Sequence, residues 1–315
     1  MISDLVFAAL SVLLLFAGAE GLVRGAASMA IRLGLTPLVA GLTVVALGTS
    51  APELVVSVKA TLQGHGDIAV GNVVGSNIFN VGVILGLSAL VRPLAASLPL
   101  IRVDTPIMIA VSLLVPLACH SGTIGRGIAA LFVSGIVAYT AATIFMARRQ
   151  ACAPVAAEFE EGVPHRSSSV WLDVGCLVGG LALLVWGARL LVTSSISLAT
   201  DLGVSEAVIG LTIVAAGTSM PELATSIVAA ARKQSDIAVG NVVGSNIFNI
   251  LGILGVAGVV KPITVYNIQV LDHAAMILFA VVLLPMLSGG KVIQRWEGAL
   301  LLSGYGAYLY ILWPS

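Results

Sequence analysis

Residues Asp67–Asn80 read DIAVGNVVGSNIFN, and the same letters return without a change at Asp236–Asn249. Working outward at that spacing of 169 positions, GTSAPEL at Gly48–Leu54 returns as GTSMPEL at Gly217–Leu223. Gly34, Gly41, Thr43, Gly86 and Pro93 fall on Gly203, Gly210, Thr212, Gly255 and Pro262. The register holds without a gap over about sixty positions. Shared hydrophobicity cannot generate an ordered run of identical Asn, Ser and Gly. The chain is a duplication.

What is duplicated is membrane-spanning. Of 315 residues, 58% are hydrophobic and 10% charged, with a mean hydropathy of +1.08, whereas a water-soluble domain carries about 25% charge. A helical span takes about 20 apolar residues, so the length accommodates roughly ten spans and no separate soluble domain. Apolar runs bounded by glycine, proline or charge predict spans at 5–30, 36–62, 68–90, 103–119, 126–147, 170–199, 205–231, 237–260, 271–287 and 296–313. Met1–Phe16 has no basic n-region or clear cleavage site, so it reads as the start of a span and not as a removed signal peptide. The expectation is an all-α integral membrane fold. Residues 1–147 form a first five-helix repeat, 148–169 a polar linker, and 170–315 a second repeat.

Five is odd, so the second repeat must enter the membrane from the opposite side. Lys and Arg favour cytoplasmic loops. With the N-terminus outside, the inner ends hold Arg32, Arg92, Arg102, Arg148, Arg149, Arg166, Arg232, Lys233, Lys291 and Arg295, against Lys59, Arg126 and Lys261 outside. This predicts an inner-membrane protein with both termini outside and the linker in the cytoplasm. Matched positions change charge as inversion requires: Arg32 becomes Asp201, and Gln63-Gly64 becomes Arg232-Lys233. The matched basic pair Arg92 and Lys261 does not follow the pattern.

Inverted repeats with interrupted helices are a transporter plan, with ions bound near the midplane where the repeats meet. Pro52 and Pro221 lack a backbone N–H and, beside Gly48 and Gly217, predict a break that releases carbonyls near Ala46, Leu47, Ala215 and Ala216. A freed carbonyl in hydrocarbon needs a partner, and a cation is one. Around the break stand Thr49, Ser50 and Glu53, repeated as Thr218, Ser219 and Glu222. An ionised carboxylate at this depth costs about 3 kcal/mol on insertion scales, so it must meet water, a proton or a metal ion. A proline kink with a structurally bonded, protonated glutamate is the bland alternative, and it does not account for the polar cluster occurring twice.

The next span of each repeat supplies GSNIFN. Ser76 and Asn80, like Ser245 and Asn249, are four apart and share a helix face; they suit ion coordination or helix-to-helix bonding. Asn77 and Asn246 admit ligation or backbone support near Gly75 and Gly244. Asn72 and Asn241 read as packing polars, and Asp67 and Asp236 as helix N-caps. Glu20 and Arg24 read as an intrahelical pair. His65, His120, His165 and His273 do not cluster, and Cys119, Cys152 and Cys176 have no ligand spacing, so no resident metal or cofactor is expected. The zero net charge gives no pointer to nucleic acid, and no obligate protein partner is evident.

GTSAPEL and GTSMPEL with two copies of DIAVGNVVGSNIFN resemble the paired alpha-repeats of the calcium/cation antiporter superfamily, in its prokaryotic sodium/calcium exchanger branch. The resemblance covers essentially the whole chain. It implies a core of spans two, three, seven and eight around the ions, with spans one and six sliding against it for alternating access. It implies Glu53 and Glu222 as shared Ca²⁺ and Na⁺ ligands, joined by Thr49, Thr218 and backbone oxygens near Ala46 and Ala215. Ser50, Ser219, Ser76, Ser245, Asn80 and Asn249 match sodium-site positions. Some members carry aspartate where this chain has Asn249, so this site is the more symmetric and holds two obvious carboxylates. These balance one Ca²⁺ or two Na⁺. The implied activity is exchange of Ca²⁺ for Na⁺ across the bilayer. Proton- or potassium-coupled exchange and a glutamate-lined channel are the rivals. An intramembrane enzyme is disfavoured, since GTSAPE lacks the GxSxG elbow and no histidine accompanies it at membrane depth.

Overall fold

A computed structural model describes residues 2–150, 169–201, 215–266 and 268–312. Its helices are α1 (Ile2–Arg32), α2 (Pro37–Thr49), α3 (Ala51–Leu62), α4 (Gly66–Val91), α5 (Leu100–Cys119) and α6 (Arg126–Gln150). Then come α7 (Val170–Asp201), the single turn Ala215–Gly217, α8 (Met220–Ala231), α9 (Ser235–Val260), α10 (Val270–Gly290) and α11 (Arg295–Leu312). Seven of these are long and apolar enough to cross a membrane, and the bent pair α2–α3 makes an eighth. The start of the span expected at 205–231, with Gly203, Gly210 and Thr212, lies outside the described residues. So do Cys152, His165 and all but the edges of the 148–169 linker.

Helix bounds repeat with the sequence. At the spacing of the duplication, α3 falls on α8 and α4 on α9, end for end, and α6 and α11 begin at matching residues. The loops repeat too. Gly64 and Gly122 take the left-handed backbone at φ +85° and +72°, and their mates Lys233 and Lys291 take it at +62° and +56°. The second pair does so despite carrying side chains.

Two short ladders tie the ends of the bundle. Strand β1 (Leu94–Ala95) pairs antiparallel with β4 (Val292–Ile293), and β2 (Thr123–Ile124) with β3 (Ile263–Thr264). Each ladder is the mate of the other: Leu94 opposite Ile293 in one is Ile263 opposite Ile124 in the other. The loop before α5 therefore meets the loop after α10, and the loop after α5 meets the loop before α10. These two mates run in opposite directions.

Packing sorts the helices into inner and outer. Within their apolar windows α4 and α9 are 78% and 83% buried, against 22–44% for the other long helices. Val73, Ile78, Ile84 and Leu85 of α4, with Val242, Ile247, Ile250 and Ile253 of α9, are in the interior. The outer helices turn Leu13, Phe16, Leu117, Leu131 and Val178 outward, a surface suited to lipid. Small residues let backbones approach where packing is tightest. A Cβ on Gly180 of α7 would stand 2.6 Å from Leu22 N of α1, and one on Gly244 of α9 would stand 2.6 Å from the Leu42 carbonyl of α2. Arg32 joins the end of α1 to the start of α7 through Asp173, 2.9 Å away and 2% exposed.

The repeats are not packed alike. Helix α1 packs along α8, while α7 has no comparable packing along α3 among the described residues. Accordingly Val55 and Val56 of α3 are 60% and 37% exposed, whereas Thr225, the mate of Val56, is wholly buried.

Candidate ion-binding site

Helix α2 stops at Thr49 and α3 restarts at Ala51 with its axis turned by 46°. Ser50, at the joint, has φ −82° and ψ 7°; Ser219 repeats this with φ −89° and ψ 9°. Pro52 and Pro221 occupy the first turns of α3 and α8, where a missing N–H costs nothing because those donors are orphans anyway. The prolines start new helices. Glu53 and Glu222 then sit in the first turn, at the partially positive end of each helix, and both are 1% exposed.

Reciprocal bonds cross between the repeats. Ser50 Oγ donates to Glu222 Oε1 at 2.8 Å, and Ser219 Oγ donates to Glu53 Oε1 at 2.9 Å. The Ser76 hydroxyl is 3.2 Å from that of Ser219, and Thr49 Oγ1 is 3.1 Å from the Val45 carbonyl and 3.2 Å from Asn241 Oδ1. Helices α4 and α9 meet through their asparagines: Asn80 Nδ2 donates to Asn246 Oδ1 at 2.9 Å, and Asn249 Nδ2 to Asn77 Oδ1 at 3.0 Å. Stretches of π-helix open at Asn80 and Phe248, and such bulges are frequent at functional sites.

After these bonds, six buried oxygens of the motif residues remain without a partner: Glu53 Oε2, Glu222 Oε2, Asn80 Oδ1, Asn249 Oδ1, Ser245 Oγ and Thr218 Oγ1. Buried polar atoms are ordinarily satisfied. Of the thirteen such exceptions among the described residues, six are on the residues singled out by the duplicated motifs, four of them on mated pairs, and seven lie elsewhere. An array of hard oxygens with two carboxylates is a donor set for Ca²⁺ or Na⁺. Among the described residues no group of three His, Cys, Asp or Glu could hold a metal, so the set depends on neutral oxygens as well as the two acids.

The structure thus brings Thr49, Ser50, Glu53 and Ser76 together with Ser219, Glu222 and Asn241, and joins Asn80 to Asn246 and Asn249 to Asn77. The backbone differs from expectation at Ala46. Its carbonyl stays in the helical ladder, accepting from Ser50 N at 3.0 Å, because the N–H that Pro52 lacks would have served the Gly48 carbonyl. Ala46 can reach an ion only through its second lone pair. Ala215 lies in the isolated turn before the second break. Asn72 and Asn241 do hold helices together: their amides donate to Ser57 and Ser226 Oγ at 2.9 and 3.0 Å, and lie 3.3 and 3.4 Å from the Glu53 and Glu222 carbonyls.

Asp67 and Asp236 are not N-caps. Each helix begins one residue before them, and the capping positions are His65 and Gln234. Asp67 instead accepts from the Tyr266 backbone N–H at 2.7 Å, tying α4 to the loop after β3. Glu20 and Arg24 are paired as expected, but Arg232 at the end of α8 joins them. Sequence spacing alone carried no signal for that third member.

Comparison with known proteins places this geometry. The sodium/calcium exchanger protein family matches residues 3–145 and 172–313. The putative antiporter CaxA of Alkalimonas amylolytica is 37% identical over 326 aligned positions, covering all of both chains. The sodium/calcium exchanger MaX1 of Methanosarcina acetivorans is 34% identical, covering 96% of each. Among solved structures, the sodium–calcium exchanger NCX_Mj, soaked with zero Na⁺ and Ca²⁺, superposes with a TM-score of 0.85 at 28% identity and 99% coverage of both chains.

Proposed function

This chain belongs to the sodium/calcium exchanger protein family, and on that premise we propose that it exchanges Ca²⁺ for Na⁺ by alternating access, with Glu53 and Glu222 as the shared ligands. The unpartnered buried oxygens carry the reading. Glu53 Oε2, Glu222 Oε2, Asn80 Oδ1 and Asn249 Oδ1 are desolvated and unsatisfied, an arrangement that costs several kcal/mol unless a cation fills it. Thr49, Ser50, Ser76, Thr218, Ser219 and Ser245, with the carbonyls of Ala46 and Ala215, complete the proposed donor set. Ca²⁺ takes about six to eight oxygens at roughly 2.3–2.6 Å.

Coupling follows from charge. Two carboxylates are neutralised by one Ca²⁺ or by two Na⁺. A loaded site can be enclosed in the low-dielectric interior, while an empty one keeps its repulsion and resists closure. Each ion therefore needs the other for the return step.

The proposed frame is ten spans in two inverted five-helix repeats, 1–147 and 170–315, joined by a cytoplasmic linker at 148–169, with both termini outside. The mated terminal ladders and the opposed directions of α5 and α10 support it. In that frame α1 covers the inner half of the site at α8, and the uncovered face of α3 leads outward.

Isotopic Ca²⁺ uptake into proteoliposomes, with Na⁺, K⁺ and H⁺ gradients imposed one at a time, tests the assignment. Uptake driven by the Na⁺ gradient alone is the expected result. Uptake driven only by a pH gradient, or flux that needs no counter-ion, overturns it in favour of proton exchange or a channel.

A further inference from the structure

The Asn80 and Asn249 oxygens serve a cation only if each carboxamide is turned the right way. A carboxamide rotated by 180° presents NH₂ where the oxygen stood, and NH₂ repels a cation. From the bonds that hold these side chains, we infer that Asn77 and Asn246 are positioning residues that set the Asn80 and Asn249 oxygens toward the ion.

Two neighbours of Asn246 have no choice of polarity. Asn246 Nδ2 is 3.4 Å from the Asn77 carbonyl and 3.6 Å from Met108 Sδ; both only accept, so the nitrogen must face them. Asn246 Oδ1 then points to Asn80 and accepts from its Nδ2 at 2.9 Å. With its nitrogen committed, Asn80 leaves Oδ1 free, and that atom is buried and unpartnered. The mirrored chain is the same. Asn77 Nδ2 donates to the Asn246 carbonyl at 3.2 Å, Asn77 Oδ1 accepts from Asn249 Nδ2 at 3.0 Å, and Asn249 Oδ1 is left over. Each polarity thus runs from a backbone carbonyl through one asparagine to the next, and each crosses from one repeat to the other. All four side chains are at most 2% exposed, so no water competes for these bonds. Flipping Asn80 would set its oxygen against Asn246 Oδ1, acceptor against acceptor.

Groups that orient a metal ligand typically carry ten- to hundredfold of the affinity. The inference rests on the cation-site reading above, and a double-mutant cycle separates the two. Calcium affinity of purified protein is measured by titration calorimetry for Asn246→Ala, Asn80→Ala and the double variant, with thermal unfolding alongside. The expected result is about a tenfold or greater loss for Asn246→Ala, and no further loss when it is added to Asn80→Ala. The cycle of Asn77→Ala with Asn249→Ala gives the same pattern. Additive losses would mean that Asn246 acts through general packing, and would overturn the inference. Asn246→Ser, whose hydroxyl is too short to reach Asn80, covers the case in which alanine prevents folding; wild-type affinity in that folded variant is likewise fatal. Absence of calcium binding by the wild type, with Glu53→Gln unchanged from it, would instead remove the site reading itself.

Discussion

Ser50 and Glu222 belong to different halves of the chain, yet the serine hydroxyl donates to Glu222 Oε1 at 2.8 Å. Its mirror joins Ser219 to Glu53, so each carboxylate accepts a bond from the opposite repeat. A hydrogen bond to a charged group contributes about 1.5–3 kcal/mol. Ser50→Ala is expected to raise half-saturating Ca²⁺ by about ten- to hundredfold with the fold retained. Ser219→Ala should do the same through Glu53. Flux in proteoliposomes over a calcium series checks both.

Removing either acid is more drastic. Glu53→Gln or Glu222→Gln leaves one negative charge for a divalent ion, and its amide NH₂ faces the cation. Sodium-driven Ca²⁺ flux should fall to background in each variant while size-exclusion behaviour stays that of the wild type. Flux retained in both would remove the two-carboxylate mechanism.

The close crossing of α1 and α7 is set by glycine. Gly180→Ala would bring a methyl to 2.6 Å from Leu22 N and 2.7 Å from the Gly18 carbonyl, both backbone atoms that cannot rotate away. Overpacking of this kind costs about 1–3 kcal/mol. Thermal unfolding in detergent should register the loss, and Gly175→Ala on the same helix, with open space around it, should show none of it.

Much of this site was legible in the sequence because duplication marks what is repeated. The identity of the two DIAVGNVVGSNIFN runs picked out Ser76, Asn80, Ser245 and Asn249, and GTSxPEL picked out the glutamates. Identity shows that positions are equivalent. It does not show that Asn80 meets Asn246, or that Ser50 meets Glu222, because contacts across 166 and 172 residues leave no trace in periodicity. The Ala46 carbonyl is not released from the ladder, and the reason is local: proline deprives the carbonyl four residues earlier, and counting back from Pro52 leads to Gly48. The aspartates resembled caps because Asp favours helix starts. What decided Asp67 was a distant loop, whose Tyr266 N–H needed an acceptor.

Lys233 and Lys291 pay a conformational penalty that their mates avoid. A side chain in the left-handed region costs about 1–2 kcal/mol relative to the right-handed one, and Gly64 and Gly122 occupy the matching turns without it. Lys291→Gly is therefore expected to stabilise the protein by about 1 kcal/mol, less the entropy that glycine adds to the unfolded chain. A rise in the unfolding midpoint with unchanged transport is the outcome to look for; a fall would mean that the ammonium makes a compensating contact.

The mated ladders make a sharp statement about sidedness. Gly122, beside β2, and Lys291, beside β4, are equivalent residues at opposite ends of the bundle. With native cysteines replaced, single cysteines at these two positions should react with a membrane-impermeant maleimide from opposite faces, Gly122→Cys from outside. Labelling of both from one face would break the inverted frame.

The last asymmetry lies between α1 and α8. Arg232 holds Glu20 side-on, with Nε 3.0 Å from Oε2 and the terminal nitrogen Nη2 2.6 Å from Oε1, and Arg24 joins the same carboxylate. The mates of Glu20 and Arg232 are Arg189 and Gln63, which cannot form an ion pair. If α1 and α7 exchange coverage of α8 and α3 during transport, this bridge exists in one arrangement and has no counterpart in the other. The Arg232 side chain is 50% exposed, so the pair contributes only about 0.2–1 kcal/mol, which bounds the bias at about fivefold. Val55, on the uncovered face of α3, reports on it. In a cysteine-free background, Val55→Cys should label up to about fivefold more slowly once Glu20→Gln is added. Arg232→Gln should match that effect, and the two together should add nothing further. Equal labelling in all four proteins would reduce the bridge to a surface contact without influence on which side of the site is open.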